Sequence, residues 1–374
     1  MKHNINMKKL HSLKHLFFWI PFLLLLTISL FLMYHAQFIS DTYQNHFERQ
    51  ALWIGIGFFI LFLFRFIKSD FLFRYSKYFY LISLALLVLV LFVGTGVNGS
   101  RAWLNLKYFN LQPSELMKLA YSLYLTTLVT QKKFHKWTDE FKFLLYVLLL
   151  LILPCILVFL EPDTGAILFY CLITLVLLWN SKIHKWWFLI AFILTAAFIG
   201  GFFYCYFFQK DFLISIIGTT FFYRVERLFS FGTGMQIENA LIAIGSAPLW
   251  QFSLTETGIY IPESPTDFVF ALSSNVFGLT GNIVILLSFL VLDFYLIGYI
   301  KKIKRKEYRI FGYSFLAIFI VSQLVNISMN LGLIPIIGIP LPFVSYGGSS
   351  TIVLFLYLAI IFSCNHKIKR KQKS

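Results

Sequence analysis

Leu16-Phe-Phe-Trp-Ile-Pro-Phe-Leu-Leu-Leu-Leu-Thr-Ile-Ser-Leu-Phe-Leu-Met-Tyr-His35 contains no Asp, Glu, Lys or Arg. An α-helix of about 20 apolar residues matches the ~30 Å hydrocarbon thickness of a bilayer, so this run reads as a membrane span. Lys8, Lys9 and Lys14 precede it as in a signal peptide, but no small-residue cleavage site follows and further apolar runs do. It is therefore predicted to remain as the first helix. Nine further runs can be drawn: Ala51–Phe66, Tyr78–Val93, Leu116–Thr130, Phe143–Leu160, Gly165–Trp179, Trp186–Phe208, Phe268–Tyr299, Phe311–Leu331 and Thr351–Cys364. The fourth span, Leu116–Thr130, is weak by hydropathy because Lys118 interrupts it. The predicted fold is an all-α polytopic membrane protein of about ten transmembrane helices, one integral membrane domain over 1–374.

Composition agrees. Only 13% of the 374 residues are charged and 59% are hydrophobic, with a mean hydropathy of +0.78, which excludes an ordinary soluble domain. The net charge of +16 comes from 32 Lys and Arg against 16 acids. The basic residues fall in short clusters between apolar runs, as topology signals do. Merging Phe143–Leu160 with Gly165–Trp179 would put the basic loops Lys132–Lys142 and Lys182–Lys185 on opposite faces. Charge bias thus favours ten spans with both termini cytoplasmic, and the basic tail 365–374 beside anionic lipid. Most acids fall on the other side, where the segments are longer, above all the large extracytoplasmic loop 209–267 between spans seven and eight. No basic and aromatic residues interleave on a water-exposed face, so no nucleic acid is expected as a partner.

Ile261-Pro-Glu-Ser-Pro-Thr-Asp-Phe268 closes that loop and places Asp267 at the mouth of a helix. A carboxylate at a lipid boundary is costly and is a functional candidate by default. Glu161-Pro-Asp-Thr-Gly165 either turns the chain or lets Asp163 face the same cavity. In Gln112-Pro-Ser-Glu-Leu-Met-Lys118, Glu115 and Lys118 share a helix face, either neutralising one another or serving a site. Arg101 suits a phosphate and Trp103 a sugar ring or headgroup. Phe221–Phe229, which contains Arg224 and Arg227, and Ile237–Ile244 read as amphipathic segments along the membrane surface, with Arg224 either a surface charge or a pyrophosphate ligand. Ile334-Pro-Ile-Ile-Gly-Ile-Pro-Leu-Pro-Phe-Val-Ser-Tyr-Gly-Gly-Ser-Ser350 cannot be one helix, and irregular backbone at membrane depth must be covered by protein or line a wet cavity. Of the histidines only His35 and His46 fall near these stretches, so a His-based triad or metal site is not expected. Cys155, Cys171, Cys205 and Cys364 lack paired spacing and are read as buried, inert thiols.

The stretches Asn98–Trp103, Gln112–Lys118, Pro162–Gly165, Gln236–Ser246, Glu263–Phe270 and above all Asn326–Ser350 resemble the SEDS proteins of bacterial cell-wall synthesis, which include RodA, FtsW and a sporulation relative. The resemblance covers nearly the whole chain. It implies a ten-span glycosyltransferase of the bacterial cytoplasmic membrane that polymerises lipid II into a growing glycan strand at the outer face, in elongation, division or sporulation, beside a class B penicillin-binding protein and membrane lipids. It also implies Asp267 as the essential acid with Thr266 beside it, Asp163 as a second important acid, and Glu115, Lys118, Trp103 and Gln236 as further functional positions. Arg101, Arg224 or a divalent cation (Mg or Mn) would stabilise the leaving pyrophosphate. A flippase for the same precursor and a non-catalytic scaffold for the penicillin-binding protein are the alternatives. This chain departs from the family pattern at Pro265, Ala247–Trp250, Ser274–Val276 and Ser328.

Overall fold

The computed structural model describes residues 2–67, 69–97, 100–105, 110–161, 163–219, 222, 234–255 and 258–364. The helices are α1 (Lys2–Ala36), α2 (His46–Leu63), α3 (Asp70–Arg74), α4 (Ser76–Val93), α5 (Pro113–Gln131), α6 (Trp137–Leu160), α7 (Thr164–Trp179), α8 (Trp186–Phe208), α9 (Lys210–Ile217), α10 (Met235–Gly245), α11 (Val269–Lys301), α12 (Lys306–Asn330) and α13 (Gly348–Ser363). Each apolar run falls on one of them, although α2 stops short of Phe66. Six helices among the described residues are long and apolar enough to cross a membrane: α1 from Leu16, α4, α6, α8, α11 and α12.

The helices that hydropathy reads worst are explained by their position. Helix α5 is buried on nearly every side, with Met117, Lys118, Ala120, Tyr121, Ser122, Leu123, Tyr124, Leu125 and Thr126 all covered. Inside a bundle its polar groups meet partners instead of lipid, so Lys118 and the hydroxyls are tolerated there. Helix α8 is the opposite case: it is apolar throughout and none of its residues is buried. In a membrane the outward surface is the apolar one, which reverses the pattern of a soluble protein. Gly57 lets the Phe355 ring lie against α2, and Phe22 packs edge-on to Phe343 at 4.9 Å and Phe355 at 5.7 Å.

The broken stretch between α12 and α13 is covered by protein, as its prolines require. Ser29 donates to Val344 O (2.8 Å) and Gln50 to Ser345 O (3.3 Å), and both side chains are fully buried. Buried polar side chains thereby take over carbonyls that no helix satisfies. A second break lies inside α11 at Gly278 (φ 66°, ψ −163°), where Leu279 N and Thr280 N donate to Pro248 O and Leu249 O, both at 3.0 Å. A Cβ at Gly278 would lie 2.5 Å from Pro248 O, so only glycine fits. The Ala247–Trp250 departure is thus where a loop completes the interrupted helix.

Three sequence readings need correction. The segment before α5 is a small antiparallel sheet in the order β1 (Thr95–Val97), β2 (Ser100–Asn105), β3 (Asn110–Leu111), not a plain loop. Ile237–Ile244 does not simply lie along the membrane. Its Ile237, Ala240 and Ala243 pack on Ile261, Phe268 and Ala271 at the mouth of α11. Of the cysteines only Cys364 is buried; Cys155 and Cys205 are half-buried and Cys171 is exposed, because lipid, not water, is the medium around these helices. Phe221, Tyr223–Phe229 with Arg224 and Arg227, and the basic tail 365–374 lie outside the described residues.

Candidate active site

The turn Pro262–Phe268 carries Asp267 and is fixed from within and without. Glu263 has a positive φ of 56°, and its carbonyl accepts from the backbone N–H groups of Thr266 (3.2 Å), Asp267 (3.1 Å) and Phe268 (3.2 Å). The Thr266 hydroxyl donates to Glu263 Oε2 at 2.9 Å, which ties the Glu263 carboxylate to the turn. From outside, the three consecutive carbonyls of Pro265, Thr266 and Asp267 are each held. Tyr346 N donates to Pro265 O (2.8 Å), and Ser345 Oγ to Thr266 O (2.5 Å). Asp267 O accepts from Asn326 Nδ2 (2.8 Å) and Asn330 Nδ2 (3.0 Å), one turn apart on α12. Asn326 also donates to Ile339 O (2.8 Å), and Asn330 Oδ1 accepts from Ala271 N (3.0 Å). Buried carbonyls paired in this way leave the backbone of Asp267 little room to move.

Asp163 approaches beside the irregular segment Ile337–Ile339. Gly165, at the start of α7, has its Cβ position 3.2 Å from Ile337 O, and Gly338 has its own 3.7 Å from Asp267 Oδ2. Asp163 Oδ2 accepts from Ser114 Oγ (2.7 Å) and Gln112 Nε2 (2.9 Å), both at the N-terminus of α5. The Asp267 carboxyl is pushed up to about 7, first by burial, then by the negative charges of Glu263 and Asp163. Glu161, fully buried at the end of α6, is pushed up to about 8 by burial and by Asp163. His46 lies with its ring 3.9 Å from that of Tyr346, and burial followed by Arg49 lowers its imidazole to about 4.

Glu115 and Lys118 form a buried ion pair of 2.6 Å, and the Lys118 ammonium sits 4.5 Å from the centre of the Phe169 ring. The pair lines a cavity of about 30 Å³ whose opposite wall is Pro340–Phe343, with Ser322, Ser350 and Tyr357 around it. That is room for a water molecule or two. Removing one member strands a buried charge, whereas removing both does not. Glu115→Gln is therefore expected to cost about 3 kcal/mol of stability, and Glu115→Gln/Lys118→Met markedly less. Thermal unfolding of the purified variants in detergent checks the order.

The structure thus brings Asp267, Thr266 and Asp163 to the Ile337–Ile339 segment, with Glu115 and Lys118 lining the cavity beside Ile339. Trp103 is half-buried on β2 opposite Thr95. Gln236 is half-buried in the first turn of α10, beside the cluster that packs on Phe268. The Arg101 side chain and all of Arg224 lie outside the described residues. Among the described residues no three His, Cys, Asp or Glu groups converge to hold a metal ion. Sequence reasoning missed Glu263, Glu161 and the two asparagines. The four-residue spacing of Asn326 and Asn330 at the end of an apolar run was the available signal.

Residues 15–370 match the family of FtsW, RodA and SpoVE, described as cell cycle proteins. The chain belongs to the FtsW/RodA/SpoVE family. It is 32% identical over 346 residues to a probable peptidoglycan glycosyltransferase FtsW of Buchnera aphidicola subsp. Baizongia pistaciae, covering 87% of this chain and 85% of the relative. It is 31% identical over 367 residues to the stage V sporulation protein E of Bacillus subtilis, covering 91% and 94%. Among solved structures it is similar to a chain of a peptidoglycan synthase complex that coordinates polymerization and crosslinking (TM-score 0.74, 23% identity, 94% of this chain and 98% of that one). It is also similar to the rod shape determining protein RodA of Thermus thermophilus (TM-score 0.64, 24% identity, 92% and 95%). At those identities the structural likeness establishes the fold. Within this FtsW/RodA/SpoVE fold the departures are absorbed locally. Ser274 Oγ accepts from Asn282 Nδ2 (2.7 Å), and Asn275 Nδ2 donates to Ile259 O (2.9 Å).

Proposed function

We infer that this multi-pass membrane protein is a peptidoglycan glycosyltransferase that polymerises lipid II, with Asp267 as its general base. The observation that carries the assignment to Asp267 is a carboxyl with a proton affinity near neutral, on a backbone held by α12 and the 345–346 segment. A base whose pKa lies close to the working pH removes a proton most effectively. Asp267 takes the proton from an acceptor sugar hydroxyl. That oxygen attacks the anomeric carbon of the second lipid-linked sugar, and the bond to undecaprenyl pyrophosphate breaks as the glycosidic bond forms. Burial, Asp163 and Glu263 keep the proton affinity of the Asp267 carboxyl near neutral, Thr266 holds Glu263, and the Glu115–Lys118 pair supports the Pro340–Phe343 wall. Arg101 and Arg224 are assigned to the pyrophosphate by residue type alone, and Trp103 and Gln236 to the saccharide.

Charge bias supports ten crossings with both termini cytoplasmic, which puts Asp267 at the outer face. By the family resemblance, the partner is a class B penicillin-binding protein. A flippase would need a polar path through the bilayer, yet Asp293, deep in α11, is occupied by a hydrogen bond from Gln323 (3.2 Å). Incubating the purified chain with lipid II in detergent, with its partner added, tests the assignment. Glycan polymer supports the enzyme; translocation in vesicles without polymer in detergent supports the flippase. Complementation by Asp267 variants that make no polymer would support the scaffold.

A further inference from the structure

At the far end of α5 from Asp163, the loop into α6 forms a groove of about 420 Å³ lined by Lys132, Lys133, Lys142, Asp139, Phe134 and Tyr146 among others. Helix α5 has 19 residues, which at ~1.5 Å each separates the groove from the acids by about 28 Å, close to a bilayer's hydrocarbon thickness. The groove therefore lies at the opposite membrane boundary, and nothing about it depends on the enzymatic reading.

Three ammonium groups face one carboxylate there, and that carboxylate is otherwise engaged. Asp139 Oδ2 accepts from the Lys136 backbone N–H (3.3 Å) and so caps the first turn of α6. Among the described residues no ion pair joins Asp139 to Lys132, Lys133 or Lys142, and all three lysines are exposed. The walls are fixed: Phe134 packs on Phe143 with ring centres 5.2 Å apart, and the Tyr146 hydroxyl is paired with that of Tyr124 at 2.7 Å. A topology signal needs only positive charge in a loop; it needs neither a concavity nor anchored aromatic walls.

From the groove, one stripe of α6 runs towards the bilayer centre through Tyr146, Leu149, Leu153 and Ile156, at three- and four-residue spacing. All four are exposed. We propose that this groove binds the phosphodiester headgroup of an anionic phospholipid, whose acyl chains lie along the exposed stripe of α6. The lysines supply charge-assisted hydrogen bonds to the phosphate oxygens. The adjoining apolar stripe favours a lipid over a free phosphate, which would leave the stripe unused.

The test uses the full chain purified into phosphatidylcholine nanodiscs doped with phosphatidylglycerol, with bound lipid counted by native mass spectrometry. Phosphatidylglycerol is expected to bind at least about tenfold more tightly than phosphatidylcholine. Lys132→Gln/Lys133→Gln/Lys142→Gln should reduce that preference at least about tenfold, and Lys301→Gln/Lys302→Gln/Lys304→Gln, an exposed basic cluster outside this groove, by less than about twofold. If the groove variant does not purify, Lys133→Gln alone should show about a threefold loss with unchanged thermal stability in pure phosphatidylcholine. Equal losses in the two clusters would overturn the proposal in favour of general surface attraction. Absence of any preference over phosphatidylcholine would overturn it too, as would displacement of the lipid by millimolar inorganic phosphate, which would mark a site for free phosphate.

Discussion

Asp267→Asn is expected to abolish lipid II polymerisation, by about 10³-fold or more, while leaving a folded protein that is more stable than the parent at pH 8. The two effects have one origin. Burial and the neighbouring Glu263 and Asp163 raise the Asp267 carboxyl to about 7 against an ordinary value of 3.8. The folded state thus holds this proton more tightly than the unfolded chain. That contribution is fully present below about pH 4 and is lost as pH rises through 7. An amide of the same shape keeps the packing but neither ionises nor accepts a proton. At pH 8 the gain is expected to be on the order of 4 kcal/mol, and at pH 5 on the order of 2 kcal/mol, since the unfolded chain is already ionised there. Thermal unfolding of both proteins at the two pH values, beside the polymerisation assay, checks both halves. A variant that is inactive only because it is unfolded would show the opposite stability change.

Asn326→Ala should carry the second-largest effect although it touches no substrate. Asn326 is fully buried, and its amide holds both Asp267 O and Ile339 O. Alanine leaves Ile339 O without that donor and leaves Asp267 O to Asn330 alone. The cost is about 2–3 kcal/mol of stability for buried acceptors deprived of a partner. Activity should fall further, by about 100-fold, because a shift of about 1 Å in a reacting group is worth that much. The loss should appear in kcat at a temperature where the variant is fully folded, with KM little changed. Asn330→Ala should be milder towards Asp267, since Asn326 keeps that carbonyl, but it also frees Ala271 N at the start of α11.

The helices were legible in the sequence because bilayer thickness imposes a run length that neighbouring packing does little to change. Lys118 marks where that legibility weakened: hydropathy counts it against a span, yet in the centre of the bundle it meets Glu115 and Phe169. The break at Ile334–Ser350 was readable from its prolines and glycines. The groups that satisfy it were not, because Ser29, Gln50 and Asn326 are distant in sequence from the carbonyls they serve. Asp267 was singled out by its position at a loop–helix junction, and Asp163 by a turn that allowed two readings. Glu263 escaped notice because its importance lies in a positive φ and in the Thr266 bond, neither of which spacing reveals. The small sheet around Trp103 was also hidden, since its strands are too short for alternation to register.

The central claim is that Asp267 works as a base whose proton affinity is set by burial and two neighbouring acids. The most direct test is the pH dependence of lipid II polymerisation by the purified protein under single-turnover conditions. The account predicts a rate that rises with pH to a plateau, with a midpoint near 7, and a midpoint that moves lower in Glu263→Gln and in Asp163→Asn, because each removes a negative neighbour. A rate that is flat between pH 5.5 and 8, or a midpoint that neither variant moves, would contradict it.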